Sequence, residues 1–146
     1  VSVDIPGGDG ATLEQKWADG PVTYLGLMTV GFPNLFTITG PGSPSVLTNM
    51  IATIEQHVEW IADCLSQLRE RGAAQIAAQV EAQDGWVAHC AEAADQTLKV
   101  SCNSWYVGAN VPGKPRVFMP YIGGMPAYRK KCEEVVAAGY QGFRLA

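Results

Sequence analysis

The chain has 146 residues, 47% of them hydrophobic and 16% charged, with a formal net charge of −4. That composition belongs to a globular domain with a core of its own, and the acidic balance argues against non-specific nucleic-acid binding. No apolar run approaches the roughly 18 residues that a membrane helix needs.

In chain order, Val1-Ser2-Val3-Asp4 has neither a signal-peptide pattern nor an initiator methionine, and it reads as cut from a longer polypeptide. Pro6-Gly7-Gly8 and Gly10 mark a loop, and Thr12–Trp17 is a short turn or helical piece. Tyr24–Val30 is apolar and suits an extended segment, followed by a turn at Gly31-Phe32-Pro33-Asn34. Leu35–Thr39 is a run of β-formers ended by Gly40-Pro41-Gly42. Being apolar on both parities, it is expected to be a strand buried on both faces, as in a parallel sheet.

Ile51, Ile54, Val58, Ile61, Leu65 and Leu68 then recur at spacings of three and four, with Glu55, Glu59, Asp63 and Glu70 off the stripe. The pattern predicts an amphipathic helix within 45–71, ending at Gly72. Its cap is either Ser43, with Pro44 at the first helical position, or Thr48. Ala73–Gln79 is a short edge segment or a continuation. Glu81–Leu98 is helical, with Trp86, Val87, Cys90, Ala94 and Leu98 on its apolar face. Residues 99–115 are rich in Asn, Ser, Gly and Pro and predict a long loop, of the length that is usually functional or mobile. Arg116–Met119 is a second short strand candidate, and Tyr128–Ala138 is a last helix closed by Gly139.

The four cysteines, Cys64, Cys90, Cys102 and Cys132, form no C-x-x-C pair, and neither His57 nor His89 has zinc-ligand spacing. They read as reduced thiols of a cytoplasmic protein, and no metal is expected. Gly42-Ser43-Pro44 is not a nucleophile elbow. His57, between Glu55 and Glu59, reads as a surface histidine, and His89 as a structural one. Two places are left for chemistry. The glycine turn at 40–42 lets backbone approach a ligand, and the helix after it offers free N–H groups and a positive dipole end. Gly40-x-Gly42 lacks the third glycine of a dinucleotide fingerprint, so it is no such signature in itself, and by pattern alone an ordinary strand-to-helix connection is the favoured reading. The 101–115 loop sets Trp105 and Tyr106 beside Asn110, Lys114 and Arg116, which suits either a planar anionic cofactor or a solvated loop.

At these residues the sequence resembles a known family. Gly31–Phe36, Gly40–Ser45, Asn49-Met50 and Glu55–Ile61 are similar to the last flavin-domain strand and turn of the Baeyer–Villiger monooxygenases, class B flavoproteins, near the cyclohexanone and phenylacetone monooxygenase branch. Ser104–Arg116 resembles their mobile control loop; Tyr121–Gly124, Tyr128-Arg129 and Gly139–Phe143 resemble their C-terminus. The resemblance runs from about Leu13 to Leu145. It implies an FAD- and NADPH-dependent enzyme that inserts one oxygen atom from O2 into a ketone to give an ester or lactone. It also implies an α/β fragment, holding the last strands and helices of a flavoprotein with two dinucleotide-binding domains, mostly helical with short strands and a long loop. Residues 1–20 would be a linker returning to the FAD domain. Residues 21–146 would be the C-terminal part of that domain, with a helical extension and the control loop at 99–115.

By the same resemblance, Asn49 and Met50 lie against the flavin, Pro44, Ser45, Val46 and Leu47 line the ketone pocket, and Trp105 meets the nicotinamide half of NADP. The family's GxGxxG motifs, its F-x-G-x-x-x-H-x-x-x-W fingerprint and its catalytic arginine have no counterpart among these 146 residues. The fragment is therefore expected to carry no catalytic residue, to need missing N-terminal FAD and NADP domains as partners, and to be inactive alone. A non-catalytic helical interaction module, or a related monooxygenase acting on nitrogen or sulfur, are the alternatives. Nucleic-acid and membrane partners are not expected.

Overall fold

The computed structural model describes residues 5–45, 48–95, 105–109, 112–113 and 115–146. Its elements in order are α1 (Leu13–Lys16), α2 (Met50–Glu70), β1 (Ile76–Ala78), α3 (Val80–Asp95), a 3-10 turn (Trp105–Val107), α4 (Met125–Ala137) and β2 (Phe143–Leu145). Among the described residues the only sheet is the antiparallel pair β1–β2, with Ile76 opposite Leu145 and Ala78 opposite Phe143. No described helix is long and apolar enough to cross a membrane.

The hub is the apolar segment after Pro21. Expected to be extended, Tyr24–Val30 instead folds back on itself: Tyr24 N–H donates to the Met28 carbonyl at 2.7 Å and Leu27 N–H to the Tyr24 carbonyl at 3.0 Å. The reversal needs positive φ at Leu25 (58°) and Gly26 (72°), which for a leucine is strained. Burial offsets the strain, since Leu25, Leu27 and Met28 are all fully enclosed. Around them pack Trp60, Cys64 and Leu68 of α2, Trp86 and Cys90 of α3, Tyr128 and Cys132 of α4, and Tyr140 and Phe143 near β2.

The two strands expected at Leu35–Thr39 and Arg116–Met119 do not form. Strand geometry needs neighbours to satisfy its N–H and C=O groups. The first segment meets only single contacts, such as Thr37 N–H to the Leu27 carbonyl at 2.8 Å. It is bounded by left-handed residues, Asn34 (φ 61°) and Thr39 (φ 53°), and Ile38 is 48% exposed, not buried. The second makes backbone bonds on both sides at Met119, whose N–H donates to the Tyr106 carbonyl and whose carbonyl accepts from Gly42 N–H, but the ladder goes no further than an isolated parallel bridge between Pro44 and Tyr121 just beyond it.

The helices agree better with the sequence. α2 starts later than Ser43 and one residue beyond Thr48: Asn49 is the cap, its side chain accepting from Ile51 N–H at 3.0 Å. α4 begins at Met125 on a glycine, with Pro126 in its first turn, and α3 buries Gln83, Trp86, Cys90 and Ala94. The Ala73–Gln79 ambiguity resolves into strand β1.

The main departure is the face that α2 buries. Thr53, Gln56, His57, Trp60, Cys64 and Leu68 point inward, whereas Ile51 (65% exposed), Ile54, Val58 and Leu65 stand on the surface. At 100° per residue the buried face and the exposed apolar stripe lie about 120° apart, with the acidic residues on the third side. Of the stripe read from the sequence Leu68 is buried, while Ile51, Ile54, Val58 and Leu65 are left uncovered by the described residues. Replacing Ile51, Val58 and Leu65 together by glutamine is expected to reduce self-association, seen as a smaller sedimentation coefficient at equal concentration. Because those residues contribute little to packing here, the unfolding free energy should move by less than about 1 kcal/mol. A large loss of stability would show that the stripe is packed within the chain.

Candidate functional site

Residues 39–50 run from the left-handed Thr39 through the glycine turn to the start of α2, and backbone bonds fix the first half of this segment. Gly42 N–H donates to the Met119 carbonyl (2.7 Å) and Tyr121 N–H to the Ser43 carbonyl (2.9 Å). Side chains complete the anchoring: Trp86 Nε1–H donates to the Gly42 carbonyl at 3.0 Å, Thr23 Oγ1–H to the Pro41 carbonyl, and Ser43 Oγ–H to the Gly40 carbonyl. The glycine turn and the 116–121 segment, separate in sequence, therefore lie side by side. Between them and α3 is a cavity of about 260 Å³, whose lining includes Pro41, Gly42, Trp86, Cys90, Arg116 and Met119.

The turn glycines serve this packing. A Cβ on Gly40 would strike Thr37 Oγ1 and lie 2.6 Å from the Gly26 carbonyl, and one on Gly42 (φ 81°) would lie 3.0 Å from the Trp86 indole nitrogen. The need for glycine at these two positions is met by neighbours inside the chain.

The structure places the expected site residues unequally. Asn49 and Met50 sit at the solvent-open start of α2, with Met50 41% exposed. Asn49 covers one of the four N–H groups that a helix start leaves without an intrahelical partner, at the positive end of a 21-residue dipole. Pro44 is fully buried, its carbonyl accepting from Thr53 Oγ1 at 3.4 Å, and Ser45 is half-buried. Val46, Leu47, Asn110, Lys114 and the Trp105 side chain lie outside the described residues; the Trp105 backbone opens the 3-10 turn.

His57, expected on the surface, is fully buried. The charged residues beside it in sequence misled: on a helix the neighbours at 55 and 59 point elsewhere, and the face is shared with Thr53, Trp60 and Cys64. Its Nδ1 accepts from Thr39 N–H at 3.0 Å, and its Nε2 lies 2.7 Å from the Tyr128 hydroxyl, which donates to the Leu25 carbonyl. Because a backbone N–H can only donate, the imidazole proton is on Nε2 and Tyr128 is the acceptor there. Burial lowers the His57 pKa to about 4, so the ring is neutral at ordinary pH. Sequence reading missed this network, although His57 and Tyr128 both fall in the blocks that carry the family resemblance.

Cys64, Cys90 and Cys132 are buried free thiols, pushed up to about 11, 12 and 11 respectively by burial, which makes them poor nucleophiles. Cys102 lies outside the described residues. His89 is exposed and packs at a tilt against both Trp86 (5.4 Å between centroids) and Tyr121 (5.6 Å), which also touch each other (5.1 Å).

No family model matches the chain. Individual proteins do. An acetone monooxygenase (methyl acetate-forming) of Gordonia sp. (strain TY-5) is 46% identical over 99% of this chain and 27% of its own length. Phenazine N-monooxygenase PhzNO1 of Lysobacter antibioticus is 38% identical over 98% of this chain and 26% of its own. Among solved structures, cyclohexanone monooxygenase from Rhodococcus sp. Phi1 bound to NADP+ superposes with a TM-score of 0.94 at 38% identity, covering 98% of this chain and 27% of that one. Over nearly all its residues the chain resembles Baeyer–Villiger monooxygenases and has the fold of part of cyclohexanone monooxygenase; it spans about a quarter of the length of these relatives.

Proposed function

We propose that this chain is the C-terminal part of a Baeyer–Villiger monooxygenase, an enzyme that uses FAD and NADPH to insert one oxygen atom from O2 into a ketone, giving an ester or lactone. Residues 1–20 return the polypeptide to the FAD domain, and residues 21–146 complete that domain, add a helical extension and carry the control loop at 99–115. The observation that carries the reading is α2. Its N-terminus is open at Asn49 and Met50, and the apolar stripe running from that end is uncovered, in a chain a quarter the length of its relatives. The missing three-quarters holds the nucleotide-binding motifs, and the chain alone is inactive.

Bound FAD supplies the oxygen chemistry. The protein's own contribution here is placement. The N–H groups that a helix start leaves without an intrahelical partner suit the electron-rich carbonyl edge of a flavin, with a dipole contribution of about 0.3–1 kcal/mol at an exposed end. Asn49 fixes the helix start and Met50 offers an apolar face to the ring. Pro44, Ser45, Val46 and Leu47 line the ketone side. Trp105 closes over the nicotinamide half of NADP and excludes water from the site. Reduced, buried thiols accord with a cytoplasmic location.

A second reading, oxygenation of a ring nitrogen, draws support from the phenazine N-monooxygenase likeness. Supplying the full-length polypeptide with FAD, NADPH and either acetone, cyclohexanone or a phenazine separates the two. Ester or lactone formation coupled to NADPH oxidation is expected; an N-oxide alone selects the second reading, and neither product refutes both.

Trp105→Ala in that polypeptide is expected to impair NADPH handling while FAD stays bound. Losing an N–H donor and an apolar face in a closed site costs about 1–3 kcal/mol, or roughly 5- to 150-fold in flavin reduction or coupling. Unchanged reduction and coupling with a lower melting temperature would assign Trp105 to packing alone.

A further inference from the structure

The hydrogen bond from Thr39 N–H to His57 Nδ1 links residues 18 apart and closes a loop on α2. Inside that loop lie Pro44 and Ser45 of the expected ketone side and Asn49 and Met50 of the expected flavin side. One end of the loop is the left-handed Thr39, immediately before the glycine turn. The other is two helical turns below the start of α2. Behind the ring, the Tyr128 hydroxyl accepts from Nε2–H and donates its own O–H to the Leu25 carbonyl, so α4 and the strained Leu25 turn hold the imidazole in place. Each donor in this chain has one acceptor, and the direction of every bond is set by the amide at its start.

We propose that His57 is a positioning residue of the monooxygenase site. Its Nδ1 anchors the 39–57 loop so that the substrate-side residues and the start of α2 keep one fixed relation, and Tyr128 supports it by holding the tautomer that leaves Nδ1 an acceptor. This rests on the reading above. It goes beyond it in assigning the spacing between the ketone side and the flavin side to a histidine that touches neither.

Two substitutions divide the ring's functions. In His57→Asn the side-chain oxygen falls where Nδ1 was and still accepts from Thr39 N–H, while the link to Tyr128 is lost. In His57→Gln the amide reaches Tyr128 but leaves Thr39 N–H without its acceptor. Both variants, in the FAD-loaded full-length polypeptide, are to be assayed for ketone KM, NADPH consumed per product and melting temperature. His57→Gln is expected to raise KM and uncoupled NADPH use about 3- to 10-fold, the worth of one buried neutral hydrogen bond. His57→Asn should recover most of that change, although both variants melt earlier. Equal KM values in the two variants, with only stability lowered, overturn the proposal. Amide hydrogen exchange of residues 39–49 in the same protein is the measurement that does not depend on turnover. Faster exchange in His57→Gln than in His57→Asn is expected; equal exchange rejects the anchor. An unmodified polypeptide that oxidises no ketone, yet shows this exchange difference, refutes the function reading and not the anchor.

Discussion

Gly40→Ala is expected to cost about 2–3 kcal/mol of unfolding free energy, among the larger effects open to a single methyl group here. An alanine Cβ at this position strikes Thr37 Oγ1 and lies 2.6 Å from the Gly26 carbonyl, which already accepts from that hydroxyl at 2.8 Å. Thr37 could turn away only by giving up that bond, and the carbonyl belongs to the enclosed turn at Leu25-Gly26. The matched control is Gly72→Ala, where φ is 66° but no atom lies within 4 Å. It pays only for a left-handed alanine, about 1–2 kcal/mol. Urea unfolding followed by tryptophan fluorescence gives both numbers. A Gly40→Ala loss no larger than the control's would mean that the turn tolerates a side chain and has space to spare for a ligand.

The second large effect is on acid stability. The His57 pKa is about 4 when folded, through burial, against about 6.5 when exposed. The folded state therefore favours the neutral ring. Its contribution is fully present above about pH 6.5 and is lost as pH falls toward 4, because the unfolded chain takes up the proton first. The loss over that window is about 3 kcal/mol. Protonation would also set two N–H donors, on Thr39 and on Nδ1, against each other. Asp9, whose carboxyl is lowered by its hydrogen bond to Lys16, acts only at lower pH, since its stabilising effect is lost below the ordinary carboxylate range. Stability measured between pH 7 and 4.5 should decline steeply in the unmodified protein and less so in His57→Gln. The comparison is of slopes, since the variant starts lower. Parallel slopes would mean that His57 is hydrated or charged in the fold.

Helices were legible because their signals are local. The 3.6-residue recurrence in α2 and Gly139 after α4 are written within a few residues of where they act, whereas the cap of α2 is Asn49 and neither of the two expected, Ser43 and Thr48. Strands were not, since a run such as Leu35–Thr39 states a preference for pairing without naming a partner, and among the described residues no strand pairs with it. The α2 stripe gives the same lesson from the other side: periodicity says that a face is apolar and does not say what covers it. Residues Asn49 and Met50 could be picked out only through family likeness, because a cap and a methionine have no chemical signature of their own. His57 was missed because its partners, Thr39 and Tyr128, lie 18 and 71 residues away and meet it only in the folded state.

Those separations bear on how the molecule is made. The Leu25 carbonyl finds its donor 103 residues later at Tyr128, and the Tyr24 hydroxyl finds its acceptor 117 residues later at Gln141. During synthesis the strained Leu25-Gly26 reversal has its local bonds early, to Met28 and Thr37, but must wait, at a rate of roughly 5–20 residues per second, for most of the remaining chain before these two distant bonds can close. Such long-range closure slows folding, because the entropy of bringing the ends together is lost before the contacts are gained. Until α4 arrives, the segment from Tyr24 to Phe32 is an apolar stretch that α2 and α3 cover only in part on a nascent chain. The last helix is thus the clasp of the fold, and the interval before it closes is when this polypeptide is most exposed to association with its neighbours.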